Sequence, residues 1–392
     1  MSLFSLPMLA LLAAQFLSAF ADNALLIAAI AVFKNIGRTG WVPFLQAVFV
    51  APFILLAPLV GAFADAQSKG RVMFMSNALK LFGAGLAWAG LNPLLGYAIA
   101  GIGASTYSPA KYGILSQMFE REKLVRANGL LEGSTIAAIL LGVLAGGWLA
   151  DRSTSLAFGG VFGVYALAAV FNLLIPRLPP EKPLSSFDLA ALAREFFIGL
   201  RGLWRDGEAR FSLLGTSLFW GTGATLRLML FAWVPVALGV VDNQMPANLM
   251  GVLSIGIVAG AVLAGALVHL GNVNRALIGG LLIGPIIMLL AQAGTVSHAA
   301  AWLVSLGAAG GFLVVPLNAL LQSRGHAGVG AGRALAVQNF LENLAMLIGV
   351  WLYAGASHAG VPVVGMVALF GGLVLAGMAA LAFSRRVNRI YN

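Results

Sequence analysis

Gly61-Ala-Phe-Ala-Asp65-Ala-Gln-Ser-Lys69-Gly-Arg71 returns, altered, as Gly265-Ala-Leu-Val-His269-Leu-Gly-Asn-Val-Asn-Arg275, 204 positions further along. Each stretch joins two long apolar runs. A short polar connector used twice in this way predicts a duplicated bundle of membrane helices.

Composition points the same way. With 60% hydrophobic residues, 9% charged residues and a mean hydropathy of +0.95 over 392 residues, the chain cannot cover a water-soluble surface. Apolar segments long enough for a ~30 Å hydrocarbon core recur at 7–33, 41–63, 71–90, 93–117, 127–150, 155–175, 211–238, 247–268, 276–293, 299–321, 333–354 and 362–383. The first of these runs past Ala21 to Phe33 with no preceding Lys or Arg, so it reads as a span and not as a leader. Cys is absent, which excludes disulfides, thiolate metal sites and thiol catalysis.

The fold class expected is thus an all-α membrane protein of twelve transmembrane helices. They form two parallel six-helix repeats, 1–175 and 211–392, around a linker at 176–210. Of the 23 Lys and Arg, Lys34, Arg38 and Arg152 fall in outer loops, Lys80, Lys111 and Arg227 inside spans, and the rest on the inner side. That bias expects both termini in the cytoplasm. It assigns the +10 charge to anionic inner-leaflet lipids instead of nucleic acid. The linker opens with Pro176, Pro179, Pro180 and Pro183. Beyond them Phe187, Leu189, Leu192, Phe196, Leu200, Leu203 and Trp204 lie near helical spacing, opposite Arg194, Arg201 and Arg205, which predicts an amphipathic helix on the inner surface.

Further matches support the duplication: Pro109-Ala-Lys111 with Pro316-Leu-Asn318, 207 apart, and Leu131-Glu132 with Leu341-Glu342, 210 apart. Glycines at four-residue spacing, Gly142/Gly146, Gly159/Gly163, Gly256/Gly260 and Gly280/Gly284, expect close helix packing.

An ionisable group inside a span costs about 2.5–3.5 kcal/mol or more at the bilayer centre unless it is paired or wetted. Six qualify: Asp22, Lys80, Lys111, Glu132, Arg227 and Glu342. At ~1.5 Å per residue, Asp22 and Arg227 fall near mid-membrane on the equivalent first and seventh helices, facing each other across a cavity. They are the leading substrate-binding candidates, with Lys111 and Glu342 as secondary contacts. Lys111 and Glu132 lie shallower, where a structural pair or inner gate is expected, and Lys80 is expected to pair with a neighbour. Asp65, with Lys69 and Arg71, sits at a helix end near the inner surface. There it can meet the positive end of another helix or an Arg, in a contact that forms in one conformation and breaks in the other. His269 replaces the Asp in the second copy, so the gate is expected to be asymmetric. The four His fall near loops or span ends and show no metal-ligand spacing, so no cofactor or metal is expected.

With these residues in view, Gly61-x-x-x-Asp65 followed by Lys69-Gly-Arg71 resembles the signature of the major facilitator superfamily, although Ala66 stands where a basic residue is common. More specifically, several segments resemble the bacterial lysophospholipid transporter family: Gln15-Phe-Leu-Ser-Ala-Phe-Ala-Asp22-Asn23-Ala-Leu, Tyr107-Ser-Pro-Ala-Lys111-Tyr-Gly-Ile-Leu, Asn128-Gly-Leu-Leu-Glu132-Gly-Ser-Thr-Ile and Val315-Pro-Leu-Asn318-Ala-Leu-Leu-Gln322. Gly215-Thr-Ser-Leu-Phe-Trp-Gly and Trp233-Val-Pro-Val-Ala-Leu-Gly, which bracket Arg227, do so too. The resemblance implies a multi-pass protein of the bacterial inner membrane that moves lysophosphatidylethanolamine and lysophosphatidylglycerol from the outer to the inner leaflet. A peripheral acyltransferase paired with an acyl-carrier-protein synthetase would then restore the second chain.

The residue types suit that cargo: Arg227 would hold the phosphate and Asp22 the ammonium. A monomer is expected. The residues alone leave open a proton-coupled symporter or exporter of a small solute, with Asp22, Glu132 or Glu342 as proton carrier. A membrane-embedded acyltransferase is disfavoured, because no His stands near an Asp in a catalytic box.

Overall fold

The computed structural model describes residues 2–38, 41–182, 188–240 and 244–390. Pro183 and Phe187 of the linker lie outside the described residues. Among those described there is no strand, only helices and their connections.

The first helices are α1 (Leu6–Asn35), α2 (Val42–Leu55), α3 (Ala57–Ala66), α4 (Lys69–Trp88), α5 (Pro93–Met118), α6 (Arg121–Arg152) and α7 (Thr154–Leu173). Then come the linker helix α8 (Leu189–Arg205), α9 (Gly207–Leu238), α10 (Gln244–Leu267), α11 (Ala276–Ala291), α12 (Val296–Ala327), α13 (Ala331–His358) and α14 (Val363–Ile390). Leu270–Arg275 forms a 3₁₀ turn between α10 and α11.

The span expected at 41–63 is not one straight helix. α2 and α3 meet at a 63° bend. Pro52 inside α2 and Pro58 in the first turn of α3 each lack an amide donor, and the backbone breaks between them. Nine helices among the described residues are long and apolar enough to cross a membrane, and the bent pair makes ten. The other two expected spans, α4 and α5, run 20 and 26 residues. They carry the polar positions Ser76, Asn77 and Lys80, and Ser105, Tyr107 and Lys111, which turn inward and are buried. Their lower hydropathy thus reflects what they hold inside.

The chain forms two compact units. The first is Met1–Glu120, Ser134–Gly202 and Gln322–Phe340; the second is Arg121–Gly133, Leu203–Leu321 and Leu341–Asn392. In the first unit, Ala28, Ala84, Ala100, Ala157 and Tyr165 belong to one alanine-rich core. Small residues allow the approach: a Cβ on Gly142 or Gly146 of α6 would run into the α1 backbone at Phe20 and Ala24. The second unit has a bulkier core that includes Leu230, Trp233, Ile287, Leu303 and Leu313. There Gly256 and Gly260 of α10 press on the α12 backbone at Val304 and Ala308. Outward-facing side chains such as Leu144, Trp148, Val170, Val262 and Leu369 are exposed. This inside-out distribution suits a lipid solvent.

Candidate functional site

Two polar constellations stand out in the first unit. The deeper one starts on α1, where Gln15, Ser18 and Asp22 follow helical spacing along one face. Asn77 and Lys80 do the same on α4, and Tyr165 and Asn172 on α7. Lys80 Nζ lies 2.8 Å from Asp22 Oδ2 and donates to Ser18 Oγ at 3.0 Å. The Tyr165 hydroxyl donates to Asp22 Oδ1 at 2.7 Å. Ser18 in turn donates to Asn77 Oδ1 at 2.7 Å, and the Asn77 and Asn172 amides meet at 2.7 Å. The Tyr107 ring lies 5.0 Å from the Lys80 ammonium. The Asp22 side chain is 16% exposed and that of Lys80 only 2%. One cation and one anion thus neutralise each other in an apolar interior, with the Ser18 and Tyr165 hydroxyls bonded to the pair and the Asn77 and Asn172 amides linked behind Ser18.

The second constellation is built on the opening motif. Asp65, at the end of α3, accepts from the backbone amides of Gly332 at 2.7 Å and Arg333 at 2.9 Å, both in the first turn of α13. Glu181 accepts from Ala331 N at 2.7 Å. Two carboxylates therefore take the first three amides of α13, the end where the helix dipole favours negative charge. Lys69 Nζ sits between them, 3.1 Å from Asp65 and 3.4 Å from Glu181, and is buried. The Asp65 carbonyl also accepts from the amides of Glu181 and Lys182, which pins the linker to the same corner. Gly330 has φ +108°, a conformation side chains avoid, and a Cβ on Gly332 would collide with the Asp65 carboxylate. The run Gly330-Ala-Gly-Arg333 is thus shaped to receive a carboxylate.

Arg227 is exposed on α9 and forms no hydrogen bond or ion pair among the described residues. Lys111 is buried on α5, its ammonium 4.5 Å from the Tyr112 ring centroid. Glu132 is buried and accepts from Asn318 Nδ2 at 3.0 Å, within the second unit. Glu342 is buried on α13. Arg71 is exposed and, among the described residues, reaches Gln67 at 3.5 Å. The structure therefore joins Asp22 with Lys80 and Asp65 with Lys69.

Sequence reasoning missed Glu181, Tyr165 and Glu195. Glu181 left one trace, as the sole carboxylate between Asp151 and Asp188, directly after two prolines. The tyrosine is indistinguishable in sequence from a packing aromatic.

In the second unit the motif copy behaves differently. The His269 amide donates to the Asn272 side chain at 2.8 Å, closing the turn on itself. Arg126 Nε donates to the Gly265 carbonyl at 3.1 Å.

Residues 11–350 match the family model described as Major Facilitator Superfamily. The chain is 52% identical over 381 residues to a protein named lysophospholipid transporter LplT from Klebsiella pneumoniae (strain 342), covering 97% of this chain and 96% of that one. A protein of the same name from Escherichia coli O7:K1 is 50% identical over 381 residues, with the same coverage. Among solved structures, the transporter FucP in the outward conformation superposes with a TM-score of 0.76 at 15% identity, over 97% of this chain and 98% of that chain. A bacterial homologue of the iron transporter ferroportin gives 0.67 at 16% identity, over 96% and 98%. These structural likenesses establish the fold alone, whereas the sequence relatives are similar along 97% of the chain. This chain belongs to the major facilitator superfamily and, within it, to the lysophospholipid transporter family.

Proposed function

We propose that the protein is a lysophospholipid transporter that moves lysophosphatidylethanolamine and lysophosphatidylglycerol from the outer to the inner leaflet of the bacterial inner membrane by alternating access. The observation that carries this is identity of about 50% over 97% of the chain to proteins named lysophospholipid transporter. Twelve spans, cytoplasmic termini and two six-helix halves joined by 176–210 complete the reading. Delivery is to a peripheral acyltransferase, the transporter acts as a monomer, and the lipid leaves chemically unchanged.

The Asp22–Lys80 pair gives the reading a mechanism. A lysophosphatidylethanolamine headgroup carries a phosphate anion and an ammonium. Entering the polar cluster, it exchanges one neutral pair for two: phosphate on Lys80 and ammonium on Asp22. No net charge is created in the apolar interior, so the exchange avoids the penalty of an unpaired buried ion. Tyr165 and Ser18 supply hydrogen bonds as the pair opens. Arg227, which has no partner among the described residues, remains a substrate-binding residue suited to phosphate. Lys111, Glu342 and Glu132 are secondary contacts or gate pairs. Asp65, Lys69 and Arg71 belong to the inner gate.

The test is reconstitution of purified protein in acyltransferase-free liposomes with labelled lysophosphatidylethanolamine in the outer leaflet. Protein-dependent protection of the label without a proton gradient supports the reading. Absence of protection under every gradient refutes it and returns the chain to the small-solute class; protection only with a proton gradient would assign proton coupling.

A further inference from the structure

Helix α8 has three faces, one of them packed among the described residues. Leu192, Phe196 and Leu203 are buried. On the packed face Phe196 makes an edge contact with Phe340, ring centroids 5.6 Å apart, and Glu195 Oε2 lies 3.4 Å from the Arg333 guanidinium. Arg333 in turn lies 3.7 Å from Asp65 Oδ2. The packed face of α8 is thus bonded to the residue that supplies one of the amides held by Asp65.

The other two faces are open. Leu189, Phe197 and Trp204 are exposed, Phe197 by 58%. At 3.6 residues per turn they fall within an arc of about 80° beside the packed face. Next to that strip Arg194, Arg201 and Arg205 fall within about 40° of one another. All three are exposed and form no ion pair among the described residues. An apolar strip flanked by a row of cations is what a helix lying in the interface of an anionic leaflet requires: aromatic and aliphatic side chains reach the acyl boundary while the guanidiniums meet phosphates. Water alone would leave the aromatic strip unsatisfied, and a neutral surface would leave the arginine row without counter-charge.

We propose that α8 is a binding surface for anionic phospholipid headgroups, and that leaflet charge, acting through Glu195 and Phe196, sets how firmly α13 is held against Asp65 and Glu181. Lipid bound to the arginine row keeps α8 seated, and a seated α8 keeps Glu195 on Arg333. Loss of leaflet charge loosens both. The proposal rests on the inner side being the basic side, and it is independent of which solute is carried.

The absence of Cys in the chain makes the test direct. A Phe197→Cys protein carrying a nitroxide is reconstituted in vesicles of phosphatidylcholine alone, or of phosphatidylcholine mixed with phosphatidylglycerol or phosphatidylserine. Label depth is read by spin resonance. Hydrogen exchange of the Ala331, Gly332 and Arg333 amides is read in parallel. Either anionic lipid should deepen the label and slow those amides, by at most about fivefold for each arginine engaged. Arg194→Gln/Arg201→Gln/Arg205→Gln should abolish the lipid dependence, and the corresponding Lys triple should keep it, which separates charge from folding. Identical depth and exchange in neutral and anionic vesicles would overturn the proposal, as would a response confined to one anionic headgroup or retained by the Gln triple. Neither readout uses a lysolipid, so failure here is distinguishable from failure of the transport reading.

Discussion

Replacing Lys80 with Met removes the ammonium but keeps most of the side-chain volume. Asp22 would then retain only the Tyr165 hydroxyl, at 2.7 Å, in a site where its side chain is 16% exposed. Removing one partner of a buried pair typically destabilises by about 3–5 kcal/mol, because the remaining charge is stranded. Asp22→Asn strands the Lys80 ammonium in the same way, although Ser18 Oγ still accepts from it. The double variant Asp22→Asn/Lys80→Met has no stranded charge. It should therefore be more stable than the sum of the single losses predicts, by a coupling of about 1–3 kcal/mol. Thermal unfolding of the purified protein in one detergent, followed by size-exclusion recovery, measures all four corners of the cycle. Transport adds an independent reading: each variant should lose lysophosphatidylethanolamine protection, including the thermally restored double. Strict additivity of the two stability losses would refute the pairing argument. Full transport by the double variant would refute the headgroup exchange.

Asp65→Asn keeps one acceptor but loses the charge that faces the helix dipole and Lys69; exchange of the Gly332 and Arg333 amides should rise by roughly 5–30-fold, equivalent to about 1–2 kcal/mol. Gly332→Ala should raise the same exchange with every charge intact, because its Cβ would stand 2.6 Å from Asp65 Oδ1; unchanged exchange would show that α13 is held elsewhere. Gly260→Ala should lower the unfolding temperature, since the new Cβ would press on the Ala308 backbone carbonyl of α12, whereas Gly163→Ala, with nothing within 4 Å, should be neutral or stabilise by about 0.5–1 kcal/mol. Glu132→Leu should cost about 1–3 kcal/mol in thermal unfolding by removing the acceptor of the Asn318 amide, and Glu132→Gln should cost less, because an amide oxygen can still accept from it.

What the sequence could show about the site follows from the range of each interaction. Membrane character and helix class are summed over many residues, so they survive any error at one position. Asp22 and Lys80 were individually visible, because an ion inside an apolar run must have a reason to be there. Their mutual pairing was not visible, since α1 and α4 are separated by the bent pair and nothing in a linear pattern fixes helix rotation about its axis. Glu181 shows the opposite failure. It lies in a proline-rich linker, where a lone carboxylate looks solvated, and only the fold brings it to the first turn of α13. The bend at Leu56 was also written in Pro52 and Pro58, but hydropathy averages over them and reads a continuous span.

The two copies of the opening motif explain why a duplicated chain need not close its two corners in the same way. In the first copy a carboxylate of α3 takes two backbone amides of α13 and is balanced by Lys69, so the contact is ionic and directional. In the second copy His269 stands at the corresponding place, and its loop caps itself through Asn272. The cross-element contact there falls to Arg126, the position 207 residues before Arg333, which donates to the neutral Gly265 carbonyl. Both contacts are charge-assisted, the second through its guanidinium donor, but the first gathers two amides on one carboxylate beside a salt-bridged lysine and so depends more on nearby charge. On the gating role proposed for Asp65, the first corner is therefore the one whose release sets the rate of opening and the one that charge in the linker can modulate. Exchanging the two residues, Asp65→His with His269→Asp, tests this. Amide protection at Gly332 and Arg333 should collapse without an equal gain at the second corner, because the bond described at the His269 position runs to Asn272 of its own turn. An equal gain there would mean that the asymmetry lies elsewhere in the chain.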